Sequence, residues 1–313
     1  MGAVRFEIGV PPPFRLDLTA WALRSRAHNA VDAWDGTRWS RSVGSDDGAA
    51  TLSVAQAGTA SVPRLVVTVD RDGAAPSREA VADARRMVTH VLGLELDLGS
   101  FYALADGDPR LAPLARRFCG MRPPRFPNVF EALVNAVACQ QLSLDVGIHL
   151  LNRLARRYGS SSTGADELPS FPTPERLARA NVETLRAIGF STAKARTLVA
   201  LGQRVTTGAI ELEALDDVDD GAARATLVGL PGIGRWSAEY ALLRGLGRLQ
   251  VLPGDDVGAQ NNLRRRFGLD ALDSDAVAAL SRRWWPYGGL VYFHLLLDRV
   301  AEEGHLHCFS SYT

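Results

Sequence analysis

Lysine is almost absent from this chain: of its 35 Lys and Arg residues, Lys194 is the only lysine. One side chain is therefore available as an amine nucleophile. Cysteine is nearly as scarce. Cys119, Cys139 and Cys308 are widely scattered. Their odd count argues against a disulfide framework, and their spacing against a zinc or iron–sulfur site. The His305-Leu306-His307-Cys308 stretch has no further ligands near it and reads as a tail, so no metal is expected. Net charge is missing as well, because 35 basic residues balance 35 acidic ones. That excludes a globally basic nucleic-acid binder but leaves room for a local basic stripe. No leader and no long apolar span stand out, so the expectation is a soluble, intracellular protein without a membrane partner.

What the chain does contain is concentrated between Leu227 and Phe267, in LVGLPGIGRWSAEYALLRGLGRLQVLPGDDVGAQNNLRRRF. An apolar helix end (Leu227, Val228, Leu230) runs into Pro231-Gly232-Ile233-Gly234, and a new helix is predicted from about Arg235. Gly232 and Gly234 lack a Cβ, so the chain can turn tightly and expose its amides. Those amides and the N-terminal amides of the next helix make an anion site suited to phosphate. Arg235 adds charge and a fork of donors at the same place. Ile233 is expected to point inward and join the two helices. Such a clamp touches backbone and reads no base edge. An ordinary helical hairpin ended by glycines is the plainer alternative.

Further on, Pro253-Gly254-Asp255-Asp256-Val257 opens another helix. Asp255 fits the N-cap role, and Asp256 in the first turn is placed to feel the positive helix end. Capping alone would account for both residues.

The two motifs together resemble the helix-hairpin-helix DNA glycosylase superfamily, which cuts damaged bases from their sugars. In that family the essential Asp follows a proline and two further residues. The resemblance puts Asp256 in that place, with Asp255 as the register-slip alternative. The chemistry suits a carboxylate, since base removal passes through an oxocarbenium-like sugar that needs a nearby anion and an oriented water. Bifunctional members carry a lysine two residues after the last hairpin glycine. Here that position is Trp236, and Lys194 lies in another helix-turn-helix segment. Water is thus the expected nucleophile, and the enzyme is expected to be monofunctional.

The run Gly234 to Ala238 resembles more closely the bacterial 3-methyladenine DNA glycosylase II, or AlkA type. The resemblance makes Trp236 and Tyr240, at i and i+4, walls of the base pocket. Aromatic faces suit a purine made cationic by methylation, which is also a good leaving group. Core packing is the plainer reading of both rings. Val257 stands where the family has an aromatic after the Asp, and Leu296 where one is expected two residues beyond His294. Trp21, Trp284, Trp285 and Tyr287 are alternative rings, each more simply read as core. Oxidised or deaminated purines, and a silent DNA-binding module, remain the alternative readings.

Along the rest of the chain, Ala50–Ala55 and Arg64–Asp70 read as strands, set off by Gly and Asp clusters at Asp46-Asp47-Gly48 and from Asp70 to Gly73. Ser77 caps a helix whose apolar face is Val81, Ala84, Val88, Val91 and Leu92, ending at Gly93. From about Tyr102 the pattern is helical. Pro127 starts one helix, Ser143 caps another, and Thr173-Pro174 starts a third. Asn181 to Val199 reads as helix, Gly189 turn, helix.

The resemblance implies an α+β fold: a small N-terminal antiparallel α/β domain over 1–95, then an all-α helix-hairpin-helix core over 96–313. That core has two helical subdomains and an active-site cleft between them. It also makes Cys139-Gln140-Gln141-Leu142-Ser143 the turn that enters the minor groove and refills the stack after base flipping. Gln141 is the first wedge candidate and Leu142 the second; a polar turn with a buried Leu is the alternative. Arg235, Arg244, Arg248 and the Arg264-Arg265-Arg266 run are candidates for a basic stripe, or in the last case for a solvated helix face. The implied partner is double-stranded DNA with damaged bases, met by a cytoplasmic, nucleoid-associated monomer. No cofactor is expected, with a monovalent cation at the hairpin left open.

Overall fold

The structure is a computed structural model that describes residues 2–45, 48–71, 75–160, 168–269 and 272–306. The Asp46-Asp47 turn, Asp72 and Gly73 of the second Gly/Asp cluster, and His307 and Cys308 of the tail lie outside the described residues.

The N-terminal part comprises β1 (Gly2–Gly9), α1 (Leu16–Arg24), β2 (Ala33–Trp34), β3 (Arg38–Ser45), β4 (Gly48–Ala57), β5 (Arg64–Arg71) and α2 (Arg78–Val91). All strand pairs are antiparallel, in the order β1-β5-β4-β3-β2. Alternation drives this sheet: Leu65, Val67 and Val69 of β5 are buried while Arg64 and Asp70 are exposed, so one face packs inward. The two strands read from sequence are β4 and β5. β1 and β3 escaped that reading, because arginines interrupt their apolar alternation. Ser77 does cap α2, its side chain accepting from the Ala80 amide at 3.1 Å.

From Gly99 onward the chain is helical. α3 (Gly99–Asp106), α4 (Ala112–Arg117), α5 (Val129–Cys139), α6 (Leu144–Tyr158), α7 (Pro174–Ala178), α8 (Val182–Ala187) and α9 (Thr192–Thr206) come first. α10 (Asp220–Val228), α11 (Arg235–Arg244), α12 (Val257–Phe267), α13 (Ser274–Ser281) and α14 (Gly288–Glu302) follow, with 3-10 turns at Glu213–Asp217 and Arg282–Trp284. Asn128 caps α5 through the Glu131 amide at 2.8 Å, so the helix begins two residues after the expected Pro127. Ser143 caps α6 and Thr173 caps α7 as read. On α6, Leu150, Leu151 and Leu154 are buried, each contributing roughly 1.5–3 kcal/mol. Val146, in the first turn of the same helix, is 44% exposed.

Two apolar cores result. One joins the sheet to α5, α6, α9 and α11 through residues such as Val54, Val67, Val134, Leu198 and Leu242. The other joins α1, α3, α4, α12 and α14 through Leu18, Phe101, Leu114, Leu263 and Leu295. A buried ion network ties the sheet to α5. Arg41 of β3 donates to Asp32 at 2.9 Å and to both oxygens of Glu131 at 2.6 and 2.5 Å. Burial pushes the Glu131 carboxyl up to about 7, with Arg41 opposing that rise.

Candidate active site and DNA-facing cleft

A cleft of about 1430 Å³ opens where α11, α12, α14 and the α5–α6 turn converge. Its chemistry is set by the start of α12. Asp256 is the N-cap there, with Oδ1 accepting from the Ala259 amide at 2.8 Å. The expected order was Asp255 as cap and Asp256 in the first turn; the structure corrects it. Pro253 and Gly254 carry the chain so that Asp256 is the last residue with extended backbone, and its side chain takes the free amide. Asp255 is exposed, 3.9 Å from Arg235 Nε.

The other carboxylate oxygen of Asp256 faces aromatic donors. Trp236 Nε1 donates to Oδ2 at 3.1 Å, and Tyr292 Oη donates to the same atom at 3.3 Å. Trp236 and Tyr240, one turn apart on α11, have ring centroids 5.4 Å apart and both line the cleft. Trp236 is half-buried and Tyr240 is buried against Phe126. Burial raises the Tyr240 phenol, and raises the Tyr292 phenol well above its ordinary value with the Asp256 charge as second cause. Both phenols therefore stay protonated at neutral pH, Tyr292 as a donor. Val257 is 67% exposed on the cleft rim.

Tyr292 was missed by sequence reasoning. It lies one helical turn before Leu296 on α14, and both line the cleft. The ring sought at Leu296 is thus supplied from the preceding turn, and i,i+4 spacing on one face was the available signal. Trp284 is core, its Nε1 bonded to Asp108 at 3.0 Å. Trp21 and Tyr287 pack against His305 and Phe101, and Trp285 is exposed; none of these four rings lines the cleft.

The hairpin between α10 and α11 forms one wall. Gly232 has φ +79°, and a Cβ there would lie 2.0 Å from Thr197 Oγ1 of α9. Gly234 differs from the expected turn role: its φ is −91°, it is the N-cap of α11, and nothing lies within 4 Å of its Cβ direction. Among the described residues no side chain caps α11, which leaves its first-turn amides open to an outside anion. Ile233 is buried as expected. Arg235 is half-exposed but its Nε is paired with Glu239 at 2.9 Å, so its fork is partly committed.

The basic stripe is corrected at two positions. Arg244 is buried, donates to the carbonyls of Ala22 and Leu23 at 3.1 and 2.9 Å, and stacks over Phe126, Phe293 and Tyr240. Arg248 donates to the carbonyls of Leu215, Asp216 and Val218. The Arg244 guanidinium satisfies carbonyls that would otherwise be stranded inside the fold, and that of Arg248 ties down the 215–218 turn nearer the surface. Arg265 lines the cleft and pairs with Glu302, while Arg264 is exposed.

Beside the hairpin, the α5–α6 turn presents Gln141 and Leu142 to the cleft, both exposed. Leu142 is not the buried residue of an ordinary polar turn. Gln141 has φ +54°, a left-handed conformation uncommon for a side chain of this size. Lys194 also lines this cleft, although its segment is distant in sequence.

Residues 134–287 match the family model of the HhH-GPD superfamily of base excision DNA repair proteins, and residues 5–128 match the AlkA N-terminal domain. The chain belongs to this superfamily. It is similar to DNA-3-methyladenine glycosylase 2 of Escherichia coli (strain K12), 31% identical over 176 residues, 56% of this chain. It is also similar to the DNA-3-methyladenine glycosylase of Bacillus subtilis (strain 168), 29% identical over 204 residues, 64% of this chain. The matched stretches span 60% and 67% of those two relatives. The 3-methyladenine DNA-glycosylase from Archaeoglobus fulgidus superposes with a TM-score of 0.82 at 26% identity, over 94% of this chain and 98% of that one.

Proposed function

We propose that this protein is a monofunctional DNA glycosylase that removes alkylated purines, of the 3-methyladenine and 7-methylguanine type, from double-stranded DNA. The observation that carries the reading is the Asp256 carboxylate, capping α12 inside the cleft with the Trp236 indole on its Oδ2. The similarity to 3-methyladenine glycosylases supports the substrate class.

In this reading the hairpin amides at Gly232, Gly234 and Arg235 take a backbone phosphate, a sequence-blind contact. Gln141, with Leu142 beside it, fills the stack as the damaged nucleotide swings out, a move that costs a few kcal/mol. The base enters against Trp236 and Tyr240, with Val257 at the rim. Aromatic faces favour a cationic base. Asp256 stabilises the positive sugar as the glycosidic bond breaks and orients the water that adds to C1′. The base leaves with the bonding electron pair. No protein amine is needed, and an intact abasic site remains.

The test is base release from methylated duplex DNA by wild type and by Asp256→Asn, read by chromatography. Release of 3-methyladenine or 7-methylguanine by wild type alone is the expected result. No release, with tight binding to abasic DNA, would redirect the reading to another lesion. Neither release nor binding would overturn it.

A further inference from the structure

We propose that Lys194 and Gln140 form a two-point anchor that positions the wedge turn and locks it to the phosphate-binding hairpin; this rests on the proposed role of Gln141 and Leu142. The turn is held from two sides. From α9, Lys194 Nζ donates to the carbonyl of Ala138 at 3.1 Å and to that of Gln140 at 2.6 Å. From the turn itself, Gln140 Nε2 donates to the Gly232 carbonyl and to Ser237 Oγ, each at 2.9 Å. Gly232 is the hairpin, and Ser237 is in the first turn of α11. One glutamine, the last residue before the wedge, therefore ties the turn directly to the clamp.

The chemistry fits each residue type. The carbonyls at the end of α5 lack helical partners, and an ammonium there meets both them and the negative helix end. Two carbonyls aimed at one point suit a compact ammonium, whereas the planar fork of arginine suits carboxylates and phosphates. Lysine occurs once in the chain, and it occurs here. The cost is visible: burial lowers the Lys194 pKa, and no carboxylate answers it among its hydrogen bonds. A half-buried cation spent on a turn's carbonyls is explained if that turn must hold a demanding shape. Gln141, the next residue, has φ +54° and needs its neighbours to impose that conformation. The anchor fixes the residue that leads into this strained position, through both its carbonyl and its side chain, so the Gln141 side chain is presented to the stack with less ordering cost at the moment of flipping.

Lys194→Met and Gln140→Leu test this with a duplex carrying a tetrahydrofuran abasic analogue, an undamaged duplex, and a 2-aminopurine reporter of flipping. Removing either the ammonium or the amide is expected to weaken abasic-duplex binding about tenfold, with undamaged-duplex affinity held within about twofold. The 2-aminopurine signal falls in parallel, and Lys194→Arg recovers it only in part. Equal weakening on both duplexes, restored fully by arginine, would make Lys194 a simple phosphate contact and overturn the anchor. Thermal melting accompanies each variant, and Gln140→Leu carries the test if Lys194→Met does not fold. A Gln141→Ala/Leu142→Ala double variant separates the premises. If it retains wild-type abasic binding, the wedge reading fails and takes the anchor with it. If it loses binding while both anchor variants keep it, the anchor alone fails.

Discussion

The indole of Trp236 donates to Asp256 Oδ2 at 3.1 Å while the same carboxylate caps α12 through Oδ1. One side chain thus faces both the helix it starts and the cleft it serves. The Trp236 position, where bifunctional relatives are expected to carry lysine, instead supplies a neutral donor that orients the carboxylate. Trp236→Phe keeps a ring in the pocket and removes that donor. Single-turnover base release should fall roughly tenfold, with abasic-DNA affinity changed less than about threefold. Tyr292→Phe should act in the same direction more weakly, because its contact is longer, 3.3 Å. An unchanged rate in both would mean that neither donor orients Asp256.

The two hairpin glycines should separate in experiment. Gly232→Val places a β-branched side chain at φ +79° and against Thr197, and should destabilise the fold by several kcal/mol. Gly234→Val meets no obstruction and an ordinary φ, so the fold should survive. Its branched side chain would cover the open amides of α11. Binding to all duplexes should then weaken alike, by about tenfold, with a shallower salt dependence. Undiminished binding by a folded Gly234→Val protein would remove the clamp from this site.

The cleft wall that holds Lys194 gives the monofunctional reading a direct check. Two of the ammonium donors are committed to carbonyls, and the amine does not lie beside Asp256 in the hydrogen-bond network. Borohydride added during turnover should trap no covalent protein–DNA adduct. An adduct abolished by Lys194→Met would show that this lysine swings to the sugar and that strand cleavage accompanies base release.

Some of this site could be read in the sequence and some could not. Motifs whose function lies in local backbone, such as the hairpin, the Asp256 helix start and the caps at Ser77, Ser143 and Thr173, are written in consecutive residues. So they were legible, apart from a one-residue shift of the cap from Asp255 to Asp256. Contacts set by tertiary packing left no local trace. Tyr292 reaches Asp256 from another helix, 36 positions away, and Gln140 reaches Gly232 across 92 positions. Arg244 and Arg248 read as a basic stripe because charge is visible in sequence, whereas the distant backbone carbonyls that absorb it are not. β1 and β3 were overlooked for the opposite reason, since charged residues, exposed at Arg5 and Glu7 in β1 and buried at Arg41 in β3, dilute the period-two signal.

Arg41 stands between Asp32 and Glu131 with all three side chains buried. Arg41→Met would leave two carboxylates without their counter-ion, at a cost of about 3–5 kcal/mol. Without the cation, the Glu131 carboxyl would rise further above its unfolded value of 4.5. A raised carboxyl favours the folded state only while protonated, so the variant should lose stability as pH rises from 5 to 8. Urea midpoints across that range decide it, and a flat difference from wild type would show that Asp32 and Glu131 find other partners.

His294 should set a distinct acid limb. Its ring is fully buried on α14, Nδ1 bonds the Leu290 carbonyl at 2.8 Å, and Nε2 has no partner among the described residues. Burial lowers its pKa from 6.5 to about 4. Below pH 6.5 the unfolded chain takes up a proton that the folded chain refuses. The His294 contribution is therefore at full strength above that pH and is lost as pH falls toward 4. Between pH 7 and 5 that loss should be about 2 kcal/mol, at roughly 1.4 kcal/mol per pH unit below the unfolded value, while the Glu131 carboxyl, raised to about 7, acts in the opposite sense over the same range. The carboxylates lowered by hydrogen bonds, such as Asp35 and Asp108, lose their contribution only at lower pH and do not overlap this window. His294→Leu gives up the Leu290 bond and is expected to be less stable than wild type at pH 7. From pH 7 to 5 wild type should nevertheless lose about 2 kcal/mol relative to the variant, because Glu131 titrates in both and only wild type carries a histidine that the unfolded chain protonates and the fold does not. If the variant kept the wild-type slope, another buried group would have to be titrating in its place.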